Sequence, residues 1–296
     1  MNLSEHVPQI SVIIPVFNDL KGLTRCLQRL ADQQPDTSAF EVIVVDNGST
    51  PPIEVAAALP FPVKLVRHET PGSYAARNAG VRASSADGLA FTDADCLPAP
   101  DWLRAGHAAL LAGNGGRIVG GEVLFTPESK PTAVAMYQQL MGFGQDSNVK
   151  DKGFTATANL FCTRAQFDAT GPFEERLLSG GDREWCWRAT KQGFAVCYTP
   201  EAVVMTPARS SLRSAMKQAR RVVAGRRSLR QLGLAHAGTA ALAKQRSAWQ
   251  AVGWILSNQD IGFFDRLRVL FVAVLIRVVA MLESLRLMLG GKPERL

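Results

Sequence analysis

The first 125 residues alternate between short β-branched runs and segments with helical periodicity. Residues 10–16 and 41–45 are runs of the first kind, and residues 20–30 lie between them with apolar side chains at helical spacing. This alternation is typical of an α/β domain, in which helices pack on the faces of a central sheet. The runs are almost wholly apolar, which indicates strands that are buried on both faces, as in a parallel sheet.

The same patterns predict most of the remaining elements. Further strands are expected at residues 63–66, 89–92, 117–125, 155–162, 194–198 and 202–205. Further helices are expected at residues 74–83, 102–112, 132–140, 165–170, 183–192 and 211–230. The polar, glycine-containing residues 142–153 are interpreted as a mobile loop over a site.

Positive charge is concentrated in the last third of the chain. The 296 residues are 47% apolar, which is ample for a buried core. Residues 1–206 carry 17 Lys and Arg against 22 Asp and Glu, a net charge of −5, whereas residues 207–296 carry 16 against 4, a net charge of +12. Such asymmetry indicates contact with nucleic acid or an anionic membrane surface, although a solvated helix face is an equal alternative. Because residues 211–231 contain no aromatic side chain that could stack on bases, no nucleic-acid partner is expected.

The cysteines and the N-terminus both bear on the compartment. The five cysteines are scattered and lack any C-x-x-C spacing, which is typical of reduced thiols in a cytosolic protein. Residues 1–9 lack a basic start followed by an apolar core, so they are not expected to form a signal peptide. A cytoplasmic location is expected.

Residues 267–289 are mostly apolar, but charged side chains interrupt them at Arg268, Arg277, Glu283 and Arg286. A helix that spans a membrane needs about 20 predominantly apolar residues, and an arginine near its middle is costly. The pattern therefore favours an interfacial helix on a membrane surface. Packing against the rest of the chain, or against a second subunit in a homodimer, is the first alternative, and a true membrane span is the second.

Two carboxylates, Asp93 and Asp95, follow an apolar run that ends at Phe91. Alternate side chains of an extended segment share one side, so both carboxylates can converge on one ligand. Their oxygens suit Mg²⁺ or Mn²⁺, and Mg²⁺ is commonly held together with substrate phosphates. A turn before the next helix would explain the same residues, so the pair alone is a weak indication.

Two further predicted strands also end in polar residues. Residues 10–18 end with Asn18, and residues 43–50 contain Asp46 followed by a glycine turn. Ligands of open α/β sheets bind at the carboxyl ends of strands. Asp46 could there accept a hydrogen bond from the ring N–H of a pyrimidine base, or it could satisfy backbone amides of its own turn.

Two predicted helices begin after glycines and carry charged side chains. Residues 71–80 enter a helix with Arg77, whose fork of donors suits phosphate or base oxygens. Asp182 follows Gly180 and Gly181 at the start of another helix, where a carboxylate can act as a general base or as an N-cap.

These five elements, in their order and spacing along the chain, resemble the family 2 inverting nucleotide-sugar glycosyltransferases with the GT-A fold. The resemblance covers about residues 8–230 and implies a Rossmann-like α/β fold, a mixed central sheet flanked by helices. It implies a catalytic domain at residues 1–230 and a helical, basic and amphipathic extension at residues 231–296, which would associate with a membrane or dimerise.

The resemblance also implies roles for individual residues. Those of the nucleotide site would be Pro15, Val16, Asn18, Asp46, Arg77, Asp93 and Ala94. Asp95, with Asp93, would bind the metal, and Asp182 would be the catalytic base. Asn159, Glu184 and Trp185 would contact the sugar or the acceptor, although a tryptophan is also a common core residue.

The activity implied is inverting transfer of a sugar, with Mn²⁺ or Mg²⁺ as cofactor. The donor would be a UDP-linked nucleotide-diphospho-sugar, and the acceptor a hydroxyl of a glycan or lipid-linked molecule in cell-envelope polysaccharide or glycolipid biosynthesis. The enzyme would be peripheral on the cytoplasmic face of the membrane. Residues 218–222 lack the tryptophan of the Gln-x-x-Arg-Trp motif of processive synthases, which favours the addition of one or a few sugars.

Two departures from the family pattern support a second hypothesis. Many relatives carry two acids where this chain has Gly181 and Asp182, and many carry a histidine where Thr206 aligns. A noncatalytic nucleotide-binding scaffold of a glycan-assembly complex is therefore the alternative.

Overall fold

The computed structural model describes residues 8–34, 37, 39–55, 58–234, 248–259 and 261–292. Within these ranges the chain forms an eight-stranded sheet and ten helices. The strands are β1 (Ile10–Val16), β2 (Phe40–Asp46), β3 (Val63–Arg67), β4 (Gly88–Phe91), β5 (Leu97–Pro98), β6 (Arg117–Phe125), β7 (Leu160–Thr163) and β8 (Ala195–Thr206). The helices are α1 (Leu20–Ala31), α2 (Ser73–Ala83), α3 (Trp102–Leu111), α4 (Ala133–Met141), α5 (Gln145–Lys152), α6 (Arg164–Thr170), α7 (Gly181–Lys191), α8 (Leu212–Gln231), α9 (Ala248–Ser257) and α10 (Phe263–Met288).

The sheet is mixed, with strand order β3-β2-β1-β4-β7-β6-β8-β5. The first four strands of this order run parallel, whereas β7 is antiparallel to both β4 and β6, and β5 is antiparallel to β8. The predicted mixed α/β sheet is therefore confirmed. The apolar runs indicate burial but not direction, since the buried strand β7 is antiparallel to its neighbours.

The helix α1 shows how the sequence pattern becomes packing. Leu23, Leu27 and Leu30 recur at three- and four-residue spacing, and all three are buried. Asp19 caps the helix, since its Oδ1 accepts a hydrogen bond of 2.9 Å from the amide of Gly22.

The carboxyl ends of the parallel strands lie along the same side of the sheet, and this side positions the polar residues. Val16 at the end of β1 lies opposite Asp46 at the end of β2, and Ile13 of β1 lies opposite Phe91 at the end of β4. Asp93 lies two residues after Phe91, just beyond the end of β4. The polar residues that follow these strands are therefore brought to the same side of the sheet.

Asn159 joins three elements of the fold through its side chain, which is fully buried. Its Oδ1 accepts a hydrogen bond of 2.8 Å from the indole Nε1 of Trp102 on α3. Its Nδ2 donates to the carbonyl oxygens of Glu122 on β6 and Ala202 on β8, both at 2.8 Å. Both ends of the amide are thus occupied by partners within the protein.

The prediction of a mobile loop at residues 142–153 is wrong, because Gln145–Lys152 forms α5. Gly144 and Gly153 bracket the helix in left-handed conformations, with φ of 71° and 64°. The helix has few apolar residues, so its sequence resembles a loop. Its attachment comes instead from Gln145, which is buried and donates a hydrogen bond of 2.6 Å to the hydroxyl of Thr155.

Two of the predicted strands have different bounds. The strand expected at residues 155–162 begins only at Leu160, because the amide of Asn159 donates to the carbonyl of Ala156 in a turn. The two strands expected at 194–198 and 202–205 are a single strand, β8.

The chain groups into two compact units. The first comprises residues 1–124, 144–177 and 181–206, and the second comprises residues 125–143, 178–180 and 207–296. A compact unit is defined by contacts and a catalytic domain by function, so the predicted domain boundary after residue 230 stays a prediction.

The second unit is helical and has its own small core. Val134 of α4, Ala215 of α8 and Val272 of α10 form one buried cluster, and Val269 of α10 belongs to a second with Ile255 of α9. Among the helices in the described ranges, none combines the length and the apolar character that crossing a bilayer requires.

We expect Asn159→Ala to lower the free energy of unfolding by about 3 kcal/mol, because it leaves the buried Nε1 of Trp102 and two carbonyl groups without partners. Urea denaturation measures the change. Gln28→Ala on the exposed side of α1 is the control and should stay within about 0.5 kcal/mol of the wild type. An equal, small effect of both substitutions would contradict the structural role of Asn159.

Candidate functional site

Asp93 and Asp95 lie in the turn after β4, and both are partly exposed. The carbonyl of Asp93 accepts a hydrogen bond of 3.0 Å from the amide of Cys96, which closes the turn. One oxygen of each carboxylate and the Sγ of Cys96 lie within 4.8 Å of one another, a spacing that suits a shared cation.

The chemistry of this group favours a hard cation. Burial, followed by the charges of Asp93 and Asp95, raises the pKa of the Cys96 thiol well above its ordinary value. Thiolates suit softer ions such as Zn²⁺, whereas carboxylate oxygens suit hard cations. Two carboxylates remain, and their oxygens fit Mg²⁺ or Mn²⁺.

Arg77 on α2 is buried, with 3% of its surface exposed, and forms a short ion pair from its Nη2 to the Oδ1 of Asp93. Its guanidinium carbon lies 5.6 Å from the centre of the Tyr74 ring, one helical turn earlier. The Nε of Arg77 is buried without a hydrogen-bond partner among the described residues. The guanidinium group therefore has donor capacity beyond its contact with Asp93.

Tyr74 connects this arginine to the predicted base. Its hydroxyl lies 3.3 Å from the Oδ1 of Asp182, to which it donates a hydrogen bond. Asp182 is in the first turn of α7, and the same oxygen accepts from the amide of Arg183 at 2.8 Å. The helix already begins at Gly181, so Asp182 lies inside it and is not its N-cap. Asp93, Arg77, Tyr74 and Asp182 thus form a continuous chain of contacts within the first unit.

Asp182 is a stronger base than an ordinary aspartate. Burial raises its pKa, and this effect exceeds the opposing influence of the Arg183 amide, the charges of Arg77 and Arg183, and the Tyr74 hydroxyl. A carboxylate with a raised pKa accepts a proton more readily, which is the property required of a general base.

Gly181 departs from the family pattern for a reason of packing. A Cβ atom at this position would lie 2.7 Å from a ring carbon of Tyr74, which is closer than carbon atoms approach in proteins. The tyrosine ring therefore occupies the space that a side chain at position 181 would need.

Asp46 is held by partners of its own turn and by one arginine. It is buried and accepts hydrogen bonds from the amides of Ser49 at 2.8 Å and Ile53 at 3.1 Å, and from Arg67 at 2.5 Å. Burial opposes its ionisation, but the hydrogen bonds from Ser49, Ile53 and Arg67 together lower its pKa. The carboxylate is thus charged and oriented, as the turn alternative predicts, and its contact with a base stays a prediction.

The other residues predicted for the nucleotide site are close to Asp46 or to Asp93. Pro15 and Val16 end β1 and lie opposite Val45 and Asp46. Ala94 lies between the two aspartates and is buried.

Asn18 adopts a left-handed backbone conformation with φ of 53°, which asparagine tolerates. Its amide donates to the Ser49 hydroxyl, and its Oδ1 accepts from the Thr50 amide, both at 2.8 Å. It therefore joins the ends of β1 and β2.

The three residues predicted to contact the sugar or acceptor are buried. Asn159 is occupied as described above. Glu184 is 3% exposed and forms a two-point ion pair with Arg188, at 2.6 and 3.0 Å. Trp185 is fully buried, and its Nε1 donates to the carbonyl of Gly171 at 2.8 Å. The structure shows them as supports of α7 and of the sheet, so their contact with a sugar stays a prediction.

Tyr74 and Asn78 also belong to the site around Arg77, although the sequence patterns assign them no role. Asn78 donates to the carbonyl of Phe173 and to Glu175, and it accepts from the amide of Phe173, each at 2.9 Å. Tyr74, Arg77 and Asn78 are spaced at i, i+3 and i+4 on α2, which places them on one face. This spacing is the signal that could have identified both residues.

Thr206, which the resemblance places where many relatives would carry a histidine, ends β8. Leu97 pairs with Met205 in the antiparallel ladder of β5 and β8. Continued by one position, this register sets Thr206 opposite Cys96, next to Asp95.

Comparison with protein families gives a match of residues 11–160 to glycosyl transferase family 2. The glycosyltransferase AglE of Haloferax volcanii is 36% identical over 212 residues, which are 70% of this chain and 69% of AglE. The pre-mycofactocin glycosyltransferase of Mycobacterium tuberculosis is 31% identical over 221 residues, and the match covers 69% of this chain but only 44% of that protein. A dolichyl N-acetyl-α-D-glucosaminyl phosphate 3-β-D-2,3-diacetamido-2,3-dideoxy-β-D-glucuronosyltransferase of Methanococcus voltae is 25% identical, over 71% of this chain and 70% of that protein.

Two solved structures share the fold. The mannosyltransferase PcManGT of Pyrobaculum calidifontis, in complex with GDP-Man and Mn²⁺, superposes with a TM-score of 0.57 at 17% identity, covering 94% of this chain and 84% of its own. TarS residues 1–349 of S. aureus, in complex with UDP-GlcNAc, gives 0.51 at 15% identity, covering 96% and 92%. The similarity confirms the predicted GT-A fold class.

We expect Gly181→Ala to lower the free energy of unfolding by about 1–3 kcal/mol, because the new methyl group overlaps the Tyr74 ring. In a Tyr74→Leu background the same substitution should cost much less, since the smaller side chain leaves room. Urea denaturation of the four proteins gives the coupling between the two sites.

The matched control is Gly253→Ala in α9, where an added Cβ meets nothing within 4 Å. It should be neutral, or stabilising by about 0.5–1 kcal/mol. A cost of Gly181→Ala that is the same in both backgrounds would exclude Tyr74 as the reason for this glycine.

Proposed function

Because the chain belongs to glycosyl transferase family 2, we propose that it is an inverting enzyme that uses a UDP-linked nucleotide-diphospho-sugar. The acceptor is a hydroxyl of a glycan or a lipid-linked molecule. The observation that carries this proposal is the chain of contacts from Asp182 through Tyr74 and Arg77 to Asp93. It connects a carboxylate suited to proton transfer with the carboxylates suited to the diphosphate end of a donor.

Asp182 acts as the general base in this mechanism. It takes the proton of the acceptor hydroxyl while the acceptor oxygen forms a bond to the anomeric carbon of the donor sugar. The bond from that carbon to the nucleoside diphosphate breaks, and the diphosphate leaves with the electron pair. Attack from the face opposite the leaving group inverts the anomeric centre. The raised pKa of Asp182 supports this role.

Arg77, Asp93 and Asp95 serve the donor. The guanidinium group of Arg77 pairs with Asp93, so it would place positive charge beside the diphosphate end of the donor. Asp95 and Asp93 would hold Mn²⁺ or Mg²⁺, which when bound neutralises charge on the departing diphosphate. Pro15, Val16, Asn18, Asp46 and Ala94 complete the proposed nucleotide site.

The relatives support the choice of acceptor and pathway. AglE and the Methanococcus voltae enzyme are glycosyltransferases, and the name of the latter specifies a dolichyl phosphate-linked sugar as acceptor. A lipid-linked acceptor of this kind is consistent with the proposed role in cell-envelope polysaccharide or glycolipid biosynthesis, at the cytoplasmic face of a membrane. Residues 218–222 on α8 lack the tryptophan of processive synthases, which supports transfer of one or a few sugars.

The alternative of a noncatalytic scaffold was based on two departures from the family pattern, and one of them now has another explanation. Gly181 is explained by the position of the Tyr74 ring and is not a sign of a lost base. Titration calorimetry with UDP and Mn²⁺, combined with a product assay, separates the two hypotheses: a scaffold binds the nucleotide without forming product.

We expect Asp182→Asn to lower kcat by roughly 10²- to 10⁴-fold, because the amide cannot accept the proton of the acceptor. Binding of the donor should change little. Asp95→Asn should instead weaken the metal-dependent binding of the nucleotide, measured by calorimetry with and without Mn²⁺. Asp168→Asn, at an exposed position of α6, is the control for both and should retain activity. Unchanged transfer by both site variants would overturn the mechanism.

The pH dependence of kcat/KM should report the raised pKa of Asp182. Only the deprotonated carboxylate is active, so activity falls as the pH falls through this pKa, which lies above the ordinary aspartate value of about 3.9. Tyr74→Phe removes a hydrogen bond that lowers this pKa, so the acidic limb should move to higher pH. Tyr137→Phe on α4 is the matched control, with an unchanged limb expected. A limb that stays in place in Tyr74→Phe would exclude Tyr74 as a positioning residue for the base.

A further inference from the structure

One side of α10 is apolar and exposed along the whole helix. Its residues recur at three- and four-residue spacing, and we call them the α10 face: Phe264, Leu267, Phe271, Val274, Val278, Met281, Leu282, Leu285 and Met288. Their exposed fractions range from 39% for Val278 to 77% for Phe264. The opposite side, including Val269 and Val272, is buried in the core of the second unit. Exposed apolar surface of this extent marks an interaction site.

Both edges of the α10 face are basic. At 100° per residue, Arg268 lies at one edge and Arg277 at the other, and both are exposed. The two acidic residues of α10 lie outside the face and are paired, Asp265 with Arg268 at 3.3 Å and Glu283 with Arg286 at 2.7 Å. The α10 face therefore contains no acidic side chain.

The neighbouring helix of the same unit strengthens the positive charge. α8 contains no Asp or Glu, and it packs against α10. Its exposed basic residues are Arg213, Lys217, Arg220, Arg221, Arg226 and Arg230. α8 thus adds positive charge to the second unit without any acidic side chain.

A groove of about 670 Å³ opens at the N-terminal end of the α10 face. It shares Leu267 and Phe271 with the face, and its other apolar walls include Val134 of α4 and Leu212 of α8. Arg268 also lines the groove. The apolar walls of the groove suit the acyl chain of a lipid, and the guanidinium group of Arg268 suits an anionic headgroup.

We propose that the α10 face lies on an anionic lipid bilayer, with its apolar side chains among the acyl chains and Arg268 and Arg277 at the headgroups. An apolar helix side bordered by basic residues is the pattern of interfacial helices, and anionic lipids attract such borders. The inference does not depend on sugar transfer, since it rests on the second unit alone.

The charges favour a bilayer over a second copy of this chain. If two α10 faces packed together, the basic edges of one would meet the basic edges of the other, and neither face has an acidic residue to pair with them. Paired helices with like charges at their edges are destabilised. An anionic surface instead supplies the opposite charge at both edges at once.

The test uses sedimentation of the full chain with phosphatidylcholine vesicles, with and without about one-third of the anionic lipid phosphatidylglycerol, which gives the surface a negative potential. The wild type should bind the anionic vesicles, and this binding should weaken as salt is added.

The double variant Phe271→Ser with Met281→Ser should lower the binding by about tenfold or more, because both side chains lose their burial in lipid. Arg268→Gln and Arg277→Gln should each lower it by about fivefold, which corresponds to ~1 kcal/mol per basic residue.

The controls match the variants in exposure but lie in the first unit. Leu111→Ser on α3, where leucine is 62% exposed, and Arg25→Gln with Arg29→Gln on α1 should bind like the wild type. Circular dichroism checks that each variant is folded, and the arginine variants test the proposal even if the serine variant unfolds.

Several results would overturn the proposal. These are no binding of the wild type to anionic vesicles, equal binding to neutral and anionic vesicles, and binding that the α10 variants leave unchanged. A wild type that is dimeric by light scattering without lipid, and monomeric after Phe271→Ser with Met281→Ser, would assign the α10 face to a second copy instead.

Discussion

The buried charge of Arg77 is the constraint on which the arrangement of the site depends. A guanidinium group removed from water is stable only where charged or polar partners compensate it. Asp93 supplies the opposite charge, and the ring of Tyr74 supplies a polarisable face. Because Asp93 follows β4 and Arg77 is on α2, this compensation holds the end of a strand against the middle of a helix.

The same arrangement extends to α7, since Tyr74 contacts both Arg77 and Asp182. A carboxylate from a distant part of the chain is thereby held near a buried cation without forming an ion pair with it. This balance leaves the pKa of Asp182 raised, because the nearby charges reduce the effect of burial without cancelling it. The buried side chains of Glu184 and Trp185 support the helix that presents it.

Much of the fold could be predicted because it follows from the local spacing of apolar residues. The site could be predicted only in part. The strands around Val12 and Val44 and the helix with Leu23 follow from spacing alone. α5 could not be recognised, since two left-handed glycines and a buried Gln145 define it, and neither depends on apolar spacing. Polar residues at strand ends predicted where ligands would bind. They could not separate residues with protein partners from residues that face a ligand, because those partners, such as Trp102 for Asn159, are distant in sequence.

The contact between Tyr74 and Gly181 has a consequence for the history of the family. Two positions 107 residues apart share one volume, so a substitution at either changes what the other tolerates. Relatives that carry an acidic residue at the position of Gly181 should therefore carry a smaller side chain at the position of Tyr74. The two arrangements would then be alternative solutions that a lineage can exchange only by changing both residues, and covariation between the positions would record that exchange.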